Sequence, residues 1–334
     1  MTNNYNINLN SIKLKTIDDK LNYEKYIDQF ISNIDVKNTS KETYRRQIKA
    51  FFNWWNIELN LKNNITREDI LNFKSYLEKN NLSPLTISSY ILVVRKFFTW
   101  REEDGFPNPA KGIKGSKRSK GFRKDPLILS QILKLLSNID TRHIIGKRDY
   151  ALINLLIRTG LRTIEVVRAN RDDIRQESGV PVLWIQGKGR DLKDEFVVLT
   201  EDTLEPLYDY LNSLKKLKIK NRERDIPLFV SLSKRNKGMR LTTRSISRIV
   251  KDRLRNVNID SNRLSAHSLR HTAITLALQA GATLQEAQIL GRHSNINTTL
   301  IYAHNINRIE NAPENKIEKL LKFELKREIH DNEN

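Results

Sequence analysis

The chain contains no cysteine. That one absence removes disulfide frameworks, thiolate zinc sites, iron–sulfur clusters and cysteine nucleophiles. No apolar run approaches the roughly 18 residues of a membrane span, and the opening MTNNYNINLN lacks the basic and apolar regions of a secretory signal. A soluble, cytoplasmic protein is expected. Acidic residues are few beside basic ones, 39 against 59 in 334 residues, for a formal net charge of +20. With 38% hydrophobic and 7% aromatic residues the composition is that of a folded protein, so the charge points to a polyanionic partner, nucleic acid first. Anionic membrane is the other polyanion, but no Lys/Arg-rich amphipathic segment has the aromatic face that binding it requires. A chain of this length predicts two domains.

Residues 1–18 are Asn-rich and polar and read as an N-terminal extension without stable structure. From 19 to 108 the pattern is helical. A weak segment over 20–33 is followed by a helix that Ser40 can cap, with Tyr44, Ile48, Phe51, Phe52 and Trp55 on one face. Thr66 can cap the next, and Ser83-Pro84 opens a fourth that stops at Asp104-Gly105. Residues 109–126 then read as a mobile basic linker. Lys111, Lys114, Lys117, Arg118, Lys120, Arg123 and Lys124 stand there against Asp125 alone, with almost nothing apolar to form a core. Such a run is a solvated tether or a strap along a DNA backbone, where each cation displaces a condensed counterion.

Over 127–312 the chain reads as α+β. Helical patterns at 129–138 and 147–158 precede two strands, 180–187 and 194–200, joined by a turn around Gly189-Arg190-Asp191. Helices return near 202–215, 243–256, 267–280 and 283–290. Residues 313–334 form a last segment that Pro313 can start, with Ile317, Leu320, Leu321 and Leu325 in an apolar stripe.

Four of the six histidines, His267, His271, His293 and His304, fall within 38 positions, with Arg270 and Arg292 among them. His267 and His271 have the helical spacing of two metal ligands. However, residues 261–285 hold no Asp or Glu to complete a shell, and Arg270 would sit beside the cation, so no metal is expected. The cluster suits an anion. A phosphodiester fits, because its oxygens gain charge as a pentacoordinate phosphorus forms and guanidinium groups match them in pairs. Tyr302 stands nine residues after His293 in NTTLIYAH, where Asn297 or Thr298 can cap a short helix. Alone, one tyrosine of ten is more simply a packing residue.

The order of these residues gives Tyr302 its weight. AHSLRHTAITLALQAG, GRH and then Tyr302 resemble the second conserved box of the tyrosine recombinases, the lambda-integrase-like family: His267, Arg270, His293 23 residues on, and Tyr302 nine beyond. RTGLRTIEVVRANRDDI resembles the first box and gives Arg162, with Glu165 a turn later. WIQGKGRDLKDEFVVL resembles the hairpin bearing the family lysine, which falls on Lys188. One departure is local. The family commonly has Gly directly before the second His, whereas here Arg292 separates Gly291 from His293.

The resemblance implies a two-domain fold: an all-α core-DNA-binding domain and a mainly helical α+β catalytic domain with a small antiparallel sheet, closing on a duplex as a clamp. It implies site-specific cutting and rejoining of DNA through a 3′-phosphotyrosyl bond, for integration, excision or dimer resolution, without ATP, metal or other cofactor. Tyr302 would attack and Arg162, Arg270 and His293 would stabilise the phosphorane. Lys188 would protonate the leaving oxygen, His267 would accept the phenol proton, and Glu165 would hold Arg162. His271 reads as packing or as a support behind the catalytic groups, not as one of them. Lys114, Lys117, Arg118, Lys120 and Arg123 are the expected DNA contacts of the linker. The implied partners are a double-stranded recombination site, further copies of the chain, monomeric in solution and tetrameric in a synapse with the last helix exchanged between protomers, and an accessory DNA-bending protein. Two other readings stay open: a type IB-like topoisomerase, and a non-catalytic sequence-specific DNA-binding protein.

Overall fold

The computed structural model describes residues 18–58, 65–117, 125–187, 189–217, 225–310 and 312–332, the side chains of 18–22, 58, 307–310 and 323–332 excepted. The extension up to residue 17, Arg118, Lys120, Arg123 and Lys188 therefore lie outside the described residues. Two compact units divide the chain at residues 120 and 121.

The first unit has helices α1 (Asp18–Asn33), α2 (Asn38–Glu58), α3 (Arg67–Lys79) and α4 (Pro84–Glu102). Thr66 accepts from the Asp69 amide and Asp69 answers the Thr66 amide, a reciprocal cap. Ser83 Oγ caps α4 through the Thr86 amide, with Pro84 in the first turn. Helix α2 starts before Ser40, which lies inside it. The core is aromatic. Phe51 meets Phe73 edge-on at 5.1 Å between centroids and Phe52 meets Phe97 at 5.3 Å, the offset geometry that ring quadrupoles favour. Arg101 is nearly buried beneath Tyr26 and Phe106, 4.2 and 3.8 Å from their ring centres, and pairs with Asp104 at 2.6 Å.

The linker expectation needs correction here. Ala110 and Ile113 are buried in the aromatic core, Ser88 Oγ donates to the Ser116 carbonyl at 3.1 Å, and Ser116 Oγ donates to Glu78 at 3.0 Å. Two apolar side chains were enough to pack residues 109–116 onto the helical unit, although the charged residues around them hid the signal. Lys114 and Lys117 are exposed. At the other end Asp125 pairs with Arg263, within the second unit.

The second unit runs α5 (Leu129–Ser137), α6 (Ile144–Thr159), α7 (Thr163–Arg168), a 3-10 turn (Arg171–Asp173), β1 (Ile174–Glu177), β2 (Val180–Ile185), β3 (Glu195–Val198), α8 (Glu201–Lys216), α9 (Thr243–Asn256), α10 (Ala266–Gln279), α11 (Leu284–Gly291), α12 (Ile296–Glu310) and α13 (Pro313–Asn332). Helix α6 is central. Its Leu152, Ile153, Leu155 and Leu156 are fully buried, and it packs on α8 and α10. The sheet is antiparallel in the order β1-β2-β3, with Leu183 opposite Ile174 on one side and Val197 on the other. Strand β1, IRQE, has one apolar residue and no alternation to announce it, so the two-strand expectation becomes three. Among the described residues no helix is long and apolar enough to cross a membrane.

Candidate active site

The carboxyl end of α6 begins the site. Gly160 caps the helix in the left-handed region, φ 60°, which glycine adopts without a Cβ penalty. The chain then turns through buried Leu161 into α7, making Arg162 its N-cap. Glu165 is wholly buried. Its carboxylate accepts from the Arg162 amide at 2.7 Å and from Arg162 Nη1 at 2.8 Å, so it fixes that guanidinium at the helix start. Arg270, buried on α10, donates to the carbonyl of Gly160 at 2.7 Å and to that of Gly291. Burial, with the nearby charges of Arg162 and Arg292, pulls Arg270 down to about 9.

His293 follows α11, and its Nδ1 lies 3.0 Å from Thr299 Oγ1. Burial and then Arg270, Arg162 and Arg292 push it down to about 4. A Cβ on Gly291 would stand 2.8–3.1 Å from the His293 ring, so glycine there lets the imidazole fold back. Tyr302 lies on α12, whose start at Ile296 puts Asn297 and Thr298 inside the helix; Asn295 Oδ1 accepts from the Asn297 amide instead. The phenol is 3% exposed, stacks near His293 with centroids 6.0 Å apart, and is pushed by burial up to about 12.

Two histidines of α10 lie on the Tyr302 side of the site. The Tyr302 oxygen lies 2.5 Å from His271 Nδ1, while His267 is exposed one helical turn away, its ring edge-on to His271 at 4.5 Å. Both histidines share a face of α10, and His271 meets α12 through Tyr302. A shared face is what four-residue spacing implies. Arg292 was missed. Its side chain is largely enclosed, gripping Glu165 Oε2 at 3.1 Å and the Gly160 carbonyl at 2.9 Å.

Arg162, Gly187, Glu195, Gln288, Arg292 and His293 all line one groove of about 890 Å³. Gly187 directly precedes Lys188, and its carbonyl accepts from Arg168 at 3.1 Å, tying the hairpin to α7. Glu165, Arg162, Arg270, His293 and Tyr302 are thus brought together. Among the described residues no set of three His, Cys, Asp or Glu side chains can hold a metal ion. Three guanidinium groups around one carboxylate make instead a site with surplus positive charge, suited to a phosphate.

A second basic feature of this unit went unread. Residues 226–251 contain no Asp or Glu, and Lys234, Arg235, Lys237, Arg244 and Arg248 are exposed along a loop and the start of α9.

A mainly helical unit carrying a small sheet, with two arginines, a histidine and a tyrosine converging beside a buried glutamate, defines a DNA strand transferase of the tyrosine type. The chain belongs to the phage integrase family, the tyrosine recombinases, which cleave and rejoin DNA through a tyrosine intermediate: the family model matches residues 127–308, and that of the phage integrase N-terminal SAM-like domain matches residues 24–105. It is 32% identical over 272 residues to tyrosine recombinase XerD of Listeria monocytogenes, covering 80% of this chain and 88% of that one. It is 31% identical over 256 residues to tyrosine recombinase XerC of Caldanaerobacter subterraneus, covering 74% and 67%. The fold is similar to that of XerH site-specific recombinase bound to palindromic difH substrate, with a TM-score of 0.66 at 21% identity over 83% of this chain and 80% of that one. A lambda integrase dimer bound to a COC′ core site has a TM-score of 0.62 at 15% identity, covering 82% and 96%.

Proposed function

We propose that Tyr302 is the nucleophile of a site-specific recombination reaction, acting with Arg162, Arg270 and His293 on one DNA phosphate. The supporting observation is their convergence: the Gly160 turn that holds Arg162 is itself gripped by Arg270, and His293 stacks near the Tyr302 ring. In this reading the phenol oxygen bonds to phosphorus and the 5′-oxygen leaves, so the phosphodiester is exchanged for a phosphotyrosine and no external energy is consumed. The two arginines and His293 hold the added charge of the phosphorane. Lys188, next to the groove-lining Gly187, gives its proton to the leaving oxygen. The phenol proton goes to His271, with His267 as the outlet toward solvent. A 5′-hydroxyl from a second duplex reverses the step and completes the exchange.

The recombination site is the proposed DNA partner, bound by the exposed cations of 234–248 and by Lys114 and Lys117 of the linker. The chain works as a tetramer in the synapse, in the cytoplasm. An accessory DNA-bending protein is the further partner proposed. A nicked suicide duplex taken from the DNA flanking the encoding gene tests the core of this reading. Wild-type protein should form a covalent adduct on it, and Tyr302→Phe should bind without forming one. An adduct in that variant, mapped to another residue, would overturn the assignment. Relaxation of a plasmid that lacks any such site would favour the topoisomerase reading.

A further inference from the structure

We infer that Arg292 is a positioning residue for the reaction: it takes a share of the Glu165 carboxylate, so that Arg162 keeps its charge for the phosphate. The inference rests on the assignment of Arg162 and Tyr302 proposed above. The backbone supplies the first observation. Arg292 sits in the left-handed region, φ 47° and ψ 51°, at the end of α11. The other described non-glycine residues with positive φ are Asn81, Ser178 and Asn258, short polar side chains that tolerate this conformation. A long side chain does not favour it, and glycine, common at this point in the family, would adopt it freely. The chain also leaves Arg292 Nε buried without an acceptor. Two local costs are kept at one residue, which calls for an offsetting gain.

The side chain shows where that gain lies. Its guanidinium donates to the carbonyls of Leu290 at 3.0 Å and Gly160 at 2.9 Å and to Glu165 Oε2 at 3.1 Å, and it is 7% exposed, too enclosed to reach a DNA phosphate itself. Arg162 meets Arg292 twice, through Glu165 and through Nη2, which donates to the Arg292 carbonyl at 3.1 Å. Without Arg292, Glu165 would face Arg162 one to one and cancel most of its field. With it, Arg162 and Arg292 share the one carboxylate while Arg270 stands near both, so the guanidinium groups outnumber Glu165. That surplus suits a phosphorane, whose charge exceeds that of the ground-state diester. The contribution therefore falls on the chemical step more than on binding.

The full chain tests this with the flanking-DNA suicide duplex. Arg292→Gly keeps the backbone conformation without strain. It should slow single-turnover adduct formation about 10- to 100-fold, the scale of a misplaced catalytic group, while duplex affinity changes less than about threefold. Arg292→Lys should recover part of the rate. Adding Glu165→Gln to Arg292→Gly should raise the rate above that of Arg292→Gly alone, because the carboxylate no longer cancels Arg162. A purely structural Arg292 gives the opposite sign, the double variant being slower and lower-melting than either single one, and that result would overturn the inference. So would an Arg292→Gly protein that cleaves at the wild-type rate. Orthovanadate, a trigonal-bipyramidal phosphate mimic, gives a reading independent of DNA: its affinity should fall at least fivefold in Arg292→Gly. Unchanged vanadate affinity would also overturn the inference. A wild-type protein that forms no Tyr302 adduct removes the parent assignment as well, an outcome distinct from either.

Discussion

The hydroxyl of Tyr302 and Nδ1 of His271 lie 2.5 Å apart in a pocket that leaves the tyrosine 3% exposed. Neither partner is charged near neutrality. Burial pushes the phenol up to about 12, while burial and then the charges of His267, Arg270 and His293 push the imidazole down to about 4. The pair is a hydrogen bond between neutral groups, so in the proposed reaction the phenol proton crosses to nitrogen as the bond to phosphorus forms. His271→Gln should therefore slow single-turnover cleavage on the order of 10²- to 10⁴-fold, the usual range for general base catalysis, and added imidazole should restore part of it. His267→Gln should cost less than about tenfold. The reverse ranking, measured as adduct formed against time, would return the base role to His267.

Stability should carry the signature of the same two histidines. His271 and His293 are both lowered to about 4 in the folded protein, against about 6.5 in an unfolded chain. Between those values the unfolded chain binds more protons, so their contribution is complete above about pH 6.5 and is lost as pH falls toward 4. The melting temperature should drop through that window, and the double variant His271→Gln/His293→Gln should show a shallower drop than wild type. An identical slope in the two proteins would remove these histidines from the account.

Local signals made much of this fold readable. Thr66, Ser83-Pro84 and Gly160 mark helix ends by their own chemistry, and α9 occupies the expected 243–256 because its apolar residues recur at helical spacing. The misses have physical causes. Strand β1 is held by pairing with β2 and by no pattern of its own, and residues 109–116 are fixed by Ala110 and Ile113 entering a core built from distant helices. The site residues were readable as an ordered set, since boxes far apart in sequence point to one chemistry. Their pairing was not, because whether His267 or His271 meets Tyr302 depends on how α12 lies against α10.

Lys188 is testable through its leaving group. If it protonates the 5′-oxygen, Lys188→Ala should lose on the order of 10²- to 10⁴-fold in cleavage rate on an ordinary duplex. A duplex with 5′-phosphorothiolate at the scissile position releases a thiolate that needs no proton, and on it most of the loss should disappear. Equal losses on the two substrates would make Lys188 a binding residue.

Two basic surfaces can be separated by salt. Replacing Lys234, Arg235, Lys237, Arg244 and Arg248 with alanine removes five exposed cations from an acid-free stretch, and each that meets a phosphate should flatten the plot of log affinity against log salt by about 0.9. The same measurement on Lys114→Ala/Lys117→Ala, with Arg118, Lys120 and Arg123 also replaced, weighs the linker. A slope unchanged by the linker set would make it a tether, and one unchanged by the 234–248 set would remove that surface from DNA binding.

Among the described residues nothing covers the apolar side chains of the last helix. Ile317, Leu320 and Leu321 on α13 are 57%, 61% and 53% exposed, and they repeat at the spacing of one helical face. Residues 305–334 carry six basic and seven acidic groups, so this end of a +20 chain nets −1 and is poorly suited to a DNA backbone. Three large apolar side chains left in water on one stripe are the mark of an interface awaiting a partner. The partner we propose is a neighbouring copy of this chain, each protomer giving α13 to the next around a closed ring, which would couple the setting of Tyr302 on α12 to its neighbour's state. Deleting 314–334 should then leave the melting temperature of the protein and its affinity for a single half-site nearly unchanged, because little folded surface is lost. Cooperative filling of a full site, read from band shifts across a concentration series, should disappear, and strand exchange with it. Replacing Leu320 and Leu321 with glutamate should reproduce both effects without shortening the chain. Loss of folding in the truncated protein would instead mean that α13 belongs to its own unit, and normal cooperative assembly would rule out the exchange.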